Sequence, residues 1–136
     1  MKIVMLSGER SCGKTSTLNM VYNSINPTEG DIIEPRKQLG GNPHDFECIV
    51  CFNERKVAFF TMGDYSCYLL EAFEKYNTKC DYLICACNTR FVKPYERINN
   101  FEHVIIDKRI AIGRTQEDCN IANNLDKEEI ITEILL

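Results

Sequence analysis

A chain of 136 residues is long enough for one three-layer core and too short for a catalytic domain joined to a separate substrate domain, so residues 1–136 are expected to form a single domain. A formal net charge of −4 argues against a general nucleic-acid or anionic-membrane binder, because such surfaces need an excess of Lys and Arg to displace counterions. With 44% hydrophobic and 26% charged residues, no signal-peptide pattern after Met1, and no run near the roughly eighteen apolar residues of a membrane span, the composition predicts a globular cytoplasmic protein.

In chain order, residues 2–6 form a short apolar run that ends at Ser7-Gly8 and predicts a fully buried parallel strand. Beyond Gly13-Lys14-Thr15, the residues Leu18, Val21, Tyr22 and Ile25 recur at helical spacing, and Asn26-Pro27 stops the helix they imply. Residues 28–45, punctuated by Gly and Pro, read as a loop with a short edge strand around residues 31–34. The β-type runs 46–52 and 56–61 are separated by Asn53-Glu54-Arg55, a spacing that fits an antiparallel hairpin.

Asp64 is placed to cap a second helix with Leu69, Ala72, Phe73 and Tyr76 on its apolar face and Asn77 as its left-handed end. Residues 82–87 and 103–106 read as further buried strands, joined by a polar connector in which Pro94 opens a short helix. Near the end, Asp126 and Glu129 have the spacing of a capping box before Ile130, Ile131, Ile134 and Leu135, which line one helical face. Strands alternating with helices around one hairpin predict an α/β three-layer sandwich, its central sheet mostly parallel and of about five strands.

One segment carries chemistry. Gly8-Glu9-Arg10-Ser11-Cys12-Gly13-Lys14-Thr15 matches G-x-x-x-x-G-K-[ST] without departure, between a predicted strand and a predicted amphipathic helix. Gly8 and Gly13 permit backbone angles that let successive N–H groups point inward as a nest for phosphate oxygens. The helix that follows adds its positive dipole end and its unpaired N–H groups. Lys14 is expected to reach the β- and γ-phosphates, the Thr15 hydroxyl to ligate Mg2+, and Ser16 to lie near the α-phosphate.

By these residues the chain resembles the P-loop NTPase superfamily, firmly over residues 1–25 and only in topology beyond them. The resemblance implies a Mg2+-dependent enzyme acting on ATP or another NTP, with Lys14 catalytic and with a carboxylate at or just after a second strand holding the metal through water. Here the hairpin arm ends without an acid, and Thr61-Met62-Gly63-Asp64 is similar to the D-x-x-G switch segment of small GTPases with its Asp missing. Asp64 is therefore the expected metal-proximal and catalytic carboxylate, beside the alternative that it is only a helix cap. The guanine-reading N-K-x-D motif of those GTPases meets Asn88-Thr89-Arg90-Phe91, which has the Asn alone and favours ATP or a relaxed base preference.

Arg90, at the carboxyl end of a predicted central strand, is a candidate contact to base or phosphate, and Arg36 with Lys37 a candidate lid. The leading expectation is slow hydrolysis of the γ-phosphate. The alternatives are a kinase with a small-molecule acceptor, held by the 28–45 loop and Arg90, and a nucleotide-dependent switch that binds a protein partner. The eight cysteines read as reduced thiols; Cys48 and Cys51, alone in C-x-x-C spacing, fall on opposite faces of a strand and do not chelate zinc together. Cys12 is the one thiol whose oxidation would reach bound phosphates, and neither His44 nor His103 has the partner pattern of a catalytic triad.

Overall fold

The structure, a computed structural model, describes residues 1–113 and 115–136. Among these residues six strands form one sheet: β1 (Lys2–Gly8), β2 (Ile32–Gln38), β3 (Phe46–Phe52), β4 (Arg55–Phe60), β5 (Tyr82–Asn88) and β6 (Glu102–Asp107). They lie in the order β2-β3-β4-β5-β1-β6. The helices are α1 (Lys14–Ile25), α2 (Ser66–Asn77), α3 (Lys93–Arg97) and α4 (Gln116–Leu135). Among the described residues no helix is long and apolar enough to cross a membrane.

The expected mostly parallel, five-stranded sheet of P-loop type is corrected. The sheet has six strands and is mixed: β2–β3 and β3–β4 pair antiparallel, and β4–β5, β5–β1 and β1–β6 pair parallel. The added strand is β2, expected only as a short edge strand around residues 31–34, whose residues Ile-Ile-Glu-Pro-Arg-Lys-Gln run on to Gln38 and are exposed along nearly all their length. An edge strand with both faces toward water has neither the alternation nor the apolar run that marks a strand, and Pro35 sits where an edge tolerates a missing N–H donor. The β3–β4 hairpin closes through Asn53 and Glu54 at φ 52° and 64°, left-handed values typical of the tightest hairpin turns.

Alternation along the central strands decides which residues meet which helices. On β1, Ile3 and Met5 join Leu83, Cys85, Phe60 and the α2 residues Leu69 and Phe73 on one face. Val4 and Leu6 join Ile84, Ala86, Phe59, Leu18 and Val21 of α1 and Ile130 and Ile134 of α4 on the other. Covering on both faces is why β1 and β5 read as continuous apolar runs. Burial pushes the thiols of Cys48 to about 12 and Cys80 to about 11, so both pack as small neutral hydrophobes.

Three helix ends differ from expectation. Tyr65, not Asp64, is the N-cap of α2, and Thr78 rather than Asn77 closes it, in right-handed conformation. The N-cap of α4 is Thr115, whose hydroxyl accepts from the Asp118 N–H at 3.1 Å, so Asp126 lies mid-helix and fully buried rather than at a start. The polar first quarter of α4, Gln-Glu-Asp-Cys-Asn, hid the early start of this helix because it shows no apolar stripe.

Gly63 holds the chain after β4 against the end of β5. A Cβ there would sit 2.6 Å from the Ala86 carbonyl oxygen and 3.0 Å from the Cys87 nitrogen, both main-chain atoms that have little room to move. The Asn88 N–H donates to the Gly63 carbonyl at 3.2 Å across the same seam. Gly63→Ala is expected to destabilise the fold by roughly 1–3 kcal/mol through overpacking, measured as a lower urea midpoint with unchanged slope.

Candidate phosphate-binding cleft

β1 sends its chain through α1 on one face of the sheet, and β5, its neighbour, sends its chain through α3 on the other. Their carboxyl ends, Gly8 and Asn88, are register partners at this divergence, the place where open α/β sheets leave a crevice. Gly8 is closely packed: a Cβ would meet the Cys12 sulfur at 2.6 Å and the Lys108 Cβ at 2.9 Å. The loop then turns through Ser11 at φ 61° and Gly13 at φ 96°, the second a value that costs little only for glycine.

Gly13 is also the N-cap of α1, with no side-chain capping bond and no acidic residue in the first turn. The helix therefore presents unneutralised N–H groups at its start, which favours an anion there. Lys14, only 7% exposed, folds its ammonium back on the loop, donating to the carbonyls of Gly8 (2.9 Å) and Glu9 (2.6 Å) and to the Cys12 sulfur (3.7 Å). Its charge is felt one strand away, where it partly offsets the burial that lifts the Cys87 thiol to about 11.

A cleft of about 430 Å³ opens over this helix start. Of the residues expected to hold nucleotide or metal, Arg10, Ser11, Gly13, Lys14, Thr15, Ser16 and Asp64 line it. Gly8, Glu9 and Cys12 are not in its wall; they shape the loop from behind, with Glu9 exposed. Arg90 is not brought in: it is exposed, and its backbone N–H is tied to Asn88 Oδ1 at 3.0 Å. Arg36 does not form a lid. Its guanidinium lies 3.7 Å over the Phe46 ring and donates to Asn19 Oδ1 at 2.9 Å, while Lys37 is an exposed residue of β2.

Asp45 is the residue that sequence reasoning missed. It is 7% exposed at the start of β3, and its Oδ1 accepts from the Thr15 hydroxyl and from the Thr61 hydroxyl, each at 3.0 Å. Thr61 is fixed in turn by accepting the Phe46 N–H at 2.9 Å. A carboxylate is thus held directly on the hydroxyl of the G-K-T sequence. Asp64, the expected carboxylate, is exposed and lines the same cleft. Asp45 closes a stretch read as loop, where a lone acid carries no signal; the signal available was its place directly before an apolar β run.

The donors around Thr15 are hard oxygens, the class that suits Mg2+. Among the described residues no group of three or more His, Cys, Asp or Glu side chains is placed to hold a metal unaided. An ion at this point would take its remaining ligands from phosphate and water, as Mg2+ does in sites with few protein ligands. One further polar group is unsatisfied: the Nδ2 of Asn88, a residue 1% exposed beside Gly8, is the buried side-chain nitrogen with no hydrogen-bond partner among the described residues. No protein-family model, curated protein or solved structure matches the chain.

Proposed function

We propose that this chain is a cytoplasmic P-loop-type NTPase that binds a nucleoside triphosphate with Mg2+ and transfers the γ-phosphoryl to water at a slow intrinsic rate. The observation that carries this reading is the conjunction at one cleft of Lys14, an uncapped helix start, and the Thr15–Asp45 pair. A nucleotide's phosphates supply acceptors to the uncapped helix start. The Lys14 ammonium exchanges two carbonyl acceptors for phosphate oxygens, and the Ser11 to Ser16 backbone offers N–H groups to the same chain of phosphates.

Asp45 and Thr15 are the residues that would hold the metal, Thr15 directly and Asp45 through water or through the Thr15 hydroxyl. When bound, the ion offsets the charge that gathers on the terminal phosphate. Asp64, exposed on the cleft rim, is positioned to orient attacking water rather than to hold metal. With no acid in the three residues after Asn88, nothing there reads a guanine edge, so ATP or a relaxed base preference is expected.

Two measurements test this reading. Labelled γ-phosphate should be released slowly in the presence of Mg2+, and absence of release over many hours with bound nucleotide would leave only a binding module. Asp45→Asn should weaken the dependence of nucleotide binding on Mg2+ by about ten- to a hundredfold, the usual cost of losing a group that orients a metal ligand. Asp64→Asn should leave that dependence nearly unchanged and lower turnover instead. The reverse pattern would return the metal to Asp64.

A further inference from the structure

A second and larger cavity, about 560 Å³, lies beside the phosphate cleft and is of a size usual for small-molecule sites. The chain from 62 to 65 divides the two, with Met62 and Tyr65 facing the larger one and Gly63 and Asp64 the cleft. Its floor is apolar, formed by Leu39, Phe60, Met62 and Ala72. Two aromatic rings stand at its mouth: Tyr65 and Tyr68 meet edge to face with centroids 5.7 Å apart, and each remains about half exposed.

The charges around this cavity are unequal. Glu47 accepts from the Tyr76 hydroxyl at 2.7 Å and from Lys75 at 3.2 Å, so the single cation in the lining is already turned to a carboxylate. Glu71, exposed on the same helix face, has no ion-pair partner among the described residues. Burial, helped by its hydrogen bond to Glu47, raises the Tyr76 hydroxyl, so it stays a donor.

We propose that this cavity binds a small aromatic cation, of the size and charge of an arylalkyl amine, with its ring on the apolar floor below Tyr65 and Tyr68 and its ammonium at the Glu71 carboxylate. An apolar floor with two tyrosine rings selects a flat hydrophobic body and gains from cation–π attraction at the mouth. The surplus carboxylate selects positive charge and repels an acid of the same shape. The assignment does not rest on the nucleotide reading, since no group of the phosphate cleft takes part.

Tyramine is a suitable probe, followed by backbone amide shifts on the intact chain. It should bind saturably at low millimolar concentration, the affinity that ordinary ligand efficiency gives a molecule of about ten heavy atoms, with shifts centred on residues 60–75. The acid analogue 4-hydroxyphenylacetate should bind at least about tenfold more weakly. Tyr68→Ala and Glu71→Gln, at exposed positions that leave the fold intact, should each weaken tyramine by roughly three- to tenfold. A titration still without curvature at about 50 mM overturns the proposal. So does equal binding of the acid analogue, which would mark mere adsorption of aromatic rings, or tyramine binding that neither variant changes.

Discussion

Lys14→Ala is expected to reduce affinity for Mg-ATP by two to three orders of magnitude while leaving the protein folded. Removing one partner of a desolvated, hydrogen-bonded charge pair costs about 2–5 kcal/mol, and each 1.4 kcal/mol is a factor of about ten. Lys14 is nearly buried, so a contact between it and phosphate would be poorly screened, and the expected loss falls above the low end of that range. The fold should tolerate the change. Of the groups that Lys14 satisfies, the Gly8 carbonyl also accepts the Thr89 N–H at 3.2 Å, and Glu9 is exposed to water. A nucleotide titration and a urea melt on the same variant separate the two effects.

The second large effect is expected at Asp126, and it is one of stability. Its carboxylate is fully buried and accepts from Lys108 Nζ at 2.9 Å, from the Arg109 N–H at 3.0 Å, and from the Arg109 guanidinium. The Lys108 side chain is only 1% exposed, and among the described residues its one other bond is to the Arg109 carbonyl at 2.7 Å. Asp126→Ala leaves that ammonium buried without a counter-charge, at a cost of about 3–5 kcal/mol. A double variant, Lys108→Met with Asp126→Leu, should recover most of the loss, since removing both charges removes the desolvation penalty as well.

Arg109→Ala should cost far less, because its guanidinium is largely in water and the buried pair survives. The pair also backs the loop between β1 and α1. Lys108 approaches the Cβ positions of Gly8 at 2.9 Å and Gly13 at 3.5 Å, and Asn123 of α4 approaches that of Gly13 at 3.1 Å. Chemical denaturation of the single and double variants reads the coupling between the two charges directly.

What could be read from the residues follows from which interactions are local. The turn at Gly13, the helix at Lys14–Ile25 and the strand before them are dictated by neighbours in sequence, so the loop and its helix were legible together. The buried strand β5 and the hairpin were legible from an apolar run and a short connection, whereas β6, expected to be buried, lies at the sheet edge with Ile106 as its one buried residue. Asp45 and Asp126 were not, because a buried acid looks like any surface acid until its partners arrive from thirty residues away at Thr15, or from Lys108 and Arg109 on another element. Both were misread for one reason: acids are so common in loops and at helix starts that those placements absorb them.

The strand order was equally out of reach. β5 lies between β1 and β4 because of pairings between segments far apart in the chain, and no feature of either apolar run states which neighbour it takes. The exposed β2, with Pro35 and three charged residues, was legible only around residues 31–34, and beyond them it carries its identity in backbone bonds to β3. Arg36 and Arg90 illustrate the same limit for side chains. Each is a cation in a segment read as loop, yet one is stacked on Phe46 and the other stands outside the cleft.

Calorimetric titration of the unaltered chain with ATP, with GTP and with their diphosphates, at neutral pH with and without Mg2+, bears most directly on the central claim. One saturable site for a nucleoside triphosphate, tighter when Mg2+ is present and lost in Lys14→Ala, is the expected result. Heat no greater than dilution for every nucleotide in both conditions would contradict it and remove the enzymatic reading with it.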